Sequence, residues 1–127
     1  NIAISIDQSG SVSDELLSKV FDWLGELAKF CSFTVIPFDH DVFEEKVYVW
    51  KKGDKRKKER VLYGGTCFNA PTLYVNKRRF DGHVIITDMM AAAPVRSNCQ
   101  RMWITDTYGA NRSYGGHKPV GERVLVL

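Results

Sequence analysis

This sequence predicts an α/β protein: an open, mostly parallel sheet with helices on both faces and one antiparallel edge strand. Three observations carry that expectation. Strand-like and helix-like patterns alternate along the chain. The run Val84-Ile85-Ile86 is continuous and apolar, as in a parallel strand covered on both faces. A strand pattern ending at Asp39 is followed by another from Asp41, with only His40 between, which leaves no room for a helical crossover and requires a hairpin.

The elements follow in order. Ile2, Ile4 and Ile6 alternate with small residues and read as a first, buried strand. Ser13 can cap a helix running to Phe30, with Asp14 and Glu15 in its first turn and Leu16, Leu17, Val20, Phe21, Leu24, Leu27 and Ala28 forming its apolar stripe. Trp23 falls at the border of that stripe. Ser32–Asp39 reads as a second strand, with Pro37 restricted to a strand end or bulge. Asp41–Trp50 reads as the antiparallel edge strand, blunted by Glu44, Glu45 and Lys46. Right-handed crossovers then put the first strand in the centre, between Ser32–Asp39 and Gly82–Asp88.

Further on, Lys51–Arg60 (KKGDKRKKER) reads as a solvated loop or as a surface for an acidic partner or nucleic acid; no aromatic side chain lies within it. A short helix from Phe68 to about Arg78 is expected to begin near Ala70, because of Pro71. Met89–Asn98 fits no single element. Gln100–Thr105 reads as a strand, 106–121 as a loop, and Glu122–Leu127 as a final strand.

With 127 residues, 44% of them hydrophobic and 26% charged, the chain has the make-up of one globular domain with its own core. It opens inside a strand and not at Met, so residues 1–127 are expected to be a single domain, the C-terminal part of a longer chain. No apolar run reaches the length of a membrane span. Three scattered cysteines, Cys31, Cys67 and Cys99, form neither a disulfide framework nor a zinc spacing, which favours a reducing, cytoplasmic setting. A net charge of +3 does not by itself require nucleic acid.

The chemistry-bearing stretch is Asp7-Gln8-Ser9-Gly10-Ser11, at the end of the first strand. One carboxylate and two hydroxyls at alternate positions can turn toward a common point, and such oxygens suit a hard cation. The same residues also make ordinary turns without a metal. Asp88 stands at the end of another strand, and Gly64-Gly65 delivers Thr66 to the mouth of a helix. In open α/β sheets ligands collect at the carboxyl ends of strands, so the candidate site is Asp7, Ser9, Ser11, Thr66 and Asp88 around Mg²⁺ or Mn²⁺. With only two carboxylates and three neutral hydroxyls, the cation would keep an open position attractive to a carboxylate from a partner.

Asp7–Ser11 (D-Q-S-G-S), Gly64–Thr66 (G-G-T) and Ile86–Asp88 (I-T-D) resemble the three parts of the metal-ion-dependent adhesion site of von Willebrand factor A domains. With Pro37-Phe38-Asp39, Trp103 and Pro119–Val124 in the same order, the chain is similar to the A-like domain at the C-terminus of bacterial metallopeptidase-like proteins. It departs from that pattern at Cys67, where the family has Asp, and it is shorter than a full A domain. The resemblance implies a non-enzymatic, Mg²⁺-dependent protein-binding module, with a MoxR-type AAA+ ATPase as one partner and a peptidase-like region elsewhere in the parent. Nothing like H-E-x-x-H occurs here, and His40, His83 and His117 stand at unrelated spacings. Two other readings remain. Asp7 could be the nucleophile of a haloacid-dehalogenase-like phosphatase, although Ser9 stands where that chemistry needs a second acid. The 51–60 run could bind nucleic acid.

Overall fold

The computed structural model describes residues 1–111, 117 and 119–127. Its elements are β1 (Ile2–Asp7), α1 (Asp14–Leu27), β2 (Phe33–Phe38), β3 (Tyr48–Trp50), α2 (Asn69–Asn76), β4 (Gly82–Ile86), β5 (Gln100–Thr105), α3 (Thr107–Ala110) and β6 (Arg123–Val126). They form one six-stranded sheet in the order β3-β2-β1-β4-β5-β6. Every strand pairing is parallel except β2 with β3. The predicted class, the central position of β1 and the antiparallel edge are all present.

Strand alternation decides the two faces. Ile4 and Ile6 of β1, Phe33 and Val35 of β2, Ile86 and Ile104 point to one side, where Leu16, Leu17, Val20, Phe21 and Leu24 of α1 cover them. The opposite face is closed by Phe68 over Phe38, Ile85 and Trp103, and by Val75 of α2 over Ala3 and Ile36. Burial of these apolar faces is the main force holding the helices to the sheet. Trp50 tucks its ring between Phe21 and Phe33, with centroids 6.0 and 5.5 Å away, and so anchors the edge strand from below.

Ser13 caps α1 as expected, its Oγ accepting from the Leu16 N–H at 3.0 Å. Ser13→Ala should therefore cost about 1 kcal/mol. A denaturation midpoint equal to that of the parent protein would contradict the cap.

Three expectations need correction. The strand expected over Asp41–Trp50 is regular only from Tyr48. Asp39 and Asp41 fold their carboxylates onto the N–H groups of Asp41 and Val42, and Glu44–Lys46 forms a 3-10 turn. Only a single bridge, Phe38 to Val42, keeps the hairpin there, while Val42 and Val47 turn inward to pack beside α2. The stretch 106–121 is not all loop: Asp106 caps the short α3, accepting from the Gly109 N–H at 2.8 Å. Positions 112–116 and 118 of that stretch lie outside the described residues. Helix α2 begins at Asn69, so Pro71 sits inside its first turn, where the N–H it lacks would have no helical partner. Pro37 lies within β2 but two residues past the last β3 pair, Val35 with Tyr48. Met89–Asn98 carries no regular element and is tied down by side chains of α2: Asn69 accepts from Val95 N–H and Asn76 from Asn98 N–H.

Candidate metal centre

The strand order reverses between β1 and β4, and that switch point is where doubly wound sheets open a crevice at their carboxyl ends. Asp7 ends β1 there, and Thr87 and Asp88 follow β4. Ile6 pairs with Ile86, so the next step along both parallel strands sets Asp7 beside Thr87.

The Asp7 carboxylate is buried, 1% exposed, and both of its oxygens are held. The Ser9 N–H donates to Oδ1 at 2.9 Å and the Thr87 hydroxyl donates to Oδ2 at 2.6 Å. Thr87 Oγ1 in turn accepts from the Met89 N–H, which fixes the direction of its proton. Burial pushes the Asp7 carboxyl up to about 6, with Asp88 adding to the rise and the bonds from Thr87 and Ser9 opposing it. Asp88 is 3% exposed. Its Oδ1 accepts from the Met90 N–H, but its Oδ2 is buried with no hydrogen-bond partner. A buried carboxylate oxygen left bare beside a second carboxylate is costly unless a cation or proton completes it.

Of the five residues proposed from sequence, Asp7, Ser9, Ser11 and Asp88 lie at the same carboxyl end of the sheet, on the loops after β1 and β4. Ser9 Oγ and Ser11 Oγ lie 3.4 Å apart. Ser11 and Asp88 share a recess of about 390 Å³ with Asp106 on its wall. Thr66 is brought to the same end of the sheet but is less tightly engaged. Gly10 N–H donates to the Gly64 carbonyl at 3.1 Å, which fastens the Gly64 loop to the serine loop. The Thr66 hydroxyl itself makes no hydrogen bond among the described residues. A Cβ at Gly64 would lie 2.7 Å from both Asp39 Oδ2 and His40 Nδ1, so a larger residue there would have to displace the Asp39 carboxylate that holds the loop.

Sequence reasoning missed the residues that hold the centre in shape. Gln8 reaches across to the end of the basic run, donating to the Glu59 carbonyl and accepting from the N–H groups of Val61 and Leu62. Arg60 looks in the sequence like one more solvated cation, yet its side chain is only 13% exposed. It donates to the carbonyls of Gln8, Ser9 and Val12 and to Asp14 Oδ1. Asp39 fixes the Gly64 loop by accepting from Gly64 N–H at 3.0 Å. Met89, directly after Asp88, takes φ 69°, a left-handed conformation uncommon for a side chain of its kind. Thr87 carried a signal through the strand register, and Gln8 and Asp39 stood in motifs without their bracing role being visible; Arg60 was hidden by the six other basic residues around it.

Among the described residues no group of three or more His, Cys, Asp or Glu is arranged to hold a metal. The oxygen set here has only two carboxylates, so a cation would lean on hydroxyls, as Mg²⁺ sites with retained water do. His83 is buried and neutral, since burial pushes it down to about 3, and its Nε2 lies 2.7 Å from Ser5 Oγ. The three cysteines are free. No helix among the described residues is long and apolar enough to cross a membrane.

The fold and this end of the sheet define a class: an α/β domain with carboxylates and hydroxyls gathered at its topological switch point. Comparison with known protein families, with characterised proteins and with solved structures finds no match for the chain.

Proposed function

We propose that this chain is a metal-dependent protein-binding module of the von Willebrand factor A type. Asp7, Ser9, Ser11, Thr66 and Asp88 would hold Mg²⁺ or Mn²⁺, and the cation would capture a carboxylate from a protein partner. The observation that carries the reading is the bare, buried Asp88 Oδ2 beside Asp7, with the Ser9 and Ser11 hydroxyls 3.4 Å apart on the loop after Asp7. A divalent cation bound there supplies a Lewis-acidic coordination position with charge left over for an outside anion. The reading is one of binding and not of catalysis, because Ser9 occupies the position a phosphatase would give to its general acid. The resemblance to the metallopeptidase-like family suggests a MoxR-type AAA+ ATPase as a source of the partner carboxylate and a cytoplasmic setting.

Mg²⁺ should raise the melting temperature of the wild-type protein, since ligands far apart in the unfolded chain meet only in the folded one. A peptide with a single glutamate should bind in Mg²⁺ and be released by EDTA, and Ser9→Ala should weaken that binding without unfolding the protein. A melting curve indifferent to Mg²⁺ and Mn²⁺ would remove the metal. A glutamate peptide equally well bound in EDTA would remove the capture mechanism.

A further inference from the structure

The strongest unassigned feature outside the centre is the cationic strip of Lys51, Lys52, Lys55, Arg56, Lys57 and Lys58, all exposed. Elsewhere on the surface some cations have acidic mates (Lys19 with Glu15, Lys29 with Glu26, Arg78 with Glu44), while Lys77, Arg79, Arg96 and Arg123 have none among the described residues. What sets the strip apart is its density, six cations within residues 51–58. Among the described residues no lysine of the strip forms an ion pair, and neither does Asp54 or Glu59, the acids within and beside it. The strip is not loose, however. At its start Lys52 N–H donates to Ser32 Oγ at 2.7 Å and Gly53 N–H to the Ala28 carbonyl at 2.8 Å. Midway, the Arg56 guanidinium lies 4.0 Å above the Tyr48 ring. At its end, Gln8 and Arg60 fasten it to the loop that follows Asp7. The strip thus runs from the amino end of β2 to the metal end of β1, about the 20 Å length of a six-residue strand.

We infer that this strip is a docking surface for an acidic segment of the protein partner. One carboxylate of the segment reaches the metal, and further acidic residues lie along the lysines. The inference builds on the metal reading by naming the partner's chemistry. Charge complementarity selects it: an unpaired cationic track leading to a site that takes a carboxylate fits a run of carboxylates. At the reach of an extended chain, about six or seven residues span the track. Within the strip itself no aromatic face is free, since Trp50 is fully buried and Tyr48 is covered by Arg56. The exposed Phe30 and Tyr63 lie at its two ends, so single-stranded nucleic acid is the competing occupant that the test must separate.

The test uses a fluorescent decaglutamate peptide, a single-glutamate peptide and a single-stranded or duplex DNA of equal charge, with wild-type protein in Mg²⁺. The variant carries Lys51→Gln, Lys55→Gln, Lys57→Gln and Lys58→Gln together, leaving Arg56 on Tyr48 and Arg60 in place. Decaglutamate should bind the variant at least roughly tenfold more weakly than wild type and lose affinity steeply with salt. Single-glutamate binding and the Mg²⁺ melting shift should be unchanged in the variant. Decaglutamate affinity within about twofold of wild type would overturn the inference while leaving the metal reading intact, since a strip in contact must show a charge effect. DNA bound more tightly than decaglutamate, and lost in the same variant, would overturn it in favour of nucleic acid. Decaglutamate binding that survives EDTA but is lost in the variant supports the strip and counts against the metal capture alone.

Discussion

Replacing Asp7 with asparagine is expected to stabilise the metal-free protein at neutral pH and to abolish its response to Mg²⁺. Burial raises the Asp7 carboxyl from 3.8 to about 6, so the folded state holds this proton more tightly than the unfolded chain does. The sign follows directly. Below about 4 both states are protonated and the group is neutral toward stability. As pH rises from there through 6 the folded state must give up a proton it prefers to keep, and above 6 the ionised group costs about 3 kcal/mol. The asparagine side chain would avoid that charge and keep an oxygen for the Ser9 N–H, but its NH2 group would replace the oxygen that accepts from Thr87, which offsets about 1 to 2 kcal/mol of the gain. The metal-free variant should therefore melt a few degrees higher than wild type at pH 7, and the advantage should vanish or reverse near pH 4, where only the lost Thr87 bond remains. Saturating Mg²⁺ should reverse the order, because only the carboxylate rewards the cation. Thermal melts at both pH values, with and without Mg²⁺, check all of this. A variant less stable than wild type in metal-free buffer at pH 7 would mean that the bond from Thr87 outweighs the cost of the buried charge.

The second large effect is expected at Arg60. Its guanidinium satisfies three backbone carbonyls of the loop from Gln8 to Val12 and also reaches Asp14, almost out of contact with water. Truncation leaves those carbonyls without their charged donor, and hydrogen bonds of this kind contribute more than neutral ones. Arg60→Ala should cost about 3 kcal/mol, against well under 1 kcal/mol for Lys57→Ala a short way along the same basic run. Because the loop it braces carries Ser9 and Ser11, the Mg²⁺ affinity of the folded variant should fall too. Arg60→Lys should recover only part of the loss, since a single ammonium cannot fork to several carbonyls. Chemical denaturation followed by Mg²⁺ titration separates the two effects. Equal stability for Arg60→Ala and Lys57→Ala would show that Arg60 is as dispensable as its neighbours.

Much of the sheet was legible because its signals are local. Ile2, Ile4 and Ile6 and the stripe from Leu16 to Leu24 each state a period that suits one kind of element, and the short β-branched run Val84–Ile86 reads as a strand by its length and composition. The antiparallel edge followed from the short link at His40, but its length did not. Asp39 and Asp41 fold their carboxylates onto nearby backbone, and the valines Val42 and Val47 that read as strand are partly buried from a turn instead. In the same way Asp106 initiates a single helical turn that too few residues follow to show a period. At the site, Asp7 and Asp88 could be read from their place after apolar strands. Their fasteners could not: Gln8, Asp39 and Arg60 act across 25 to 54 residues of sequence, through backbone contacts that leave no pattern in composition.

The most direct measurement is a Mn²⁺ titration followed by amide NMR on the isotope-labelled protein, because a bound paramagnetic ion broadens only the nuclei around it. Loss of the signals of Ser9, Gly10, Ser11, Thr66, Asp88 and Met89 at low Mn²⁺, sparing Gln100 and Arg101 at the far end of the sheet and reversed by excess Mg²⁺, is the predicted result. Broadening centred instead on an exposed acidic pair such as Glu44 and Glu45, or the same broadening in Asp7→Asn as in wild type, would contradict a metal centre at the end of β1.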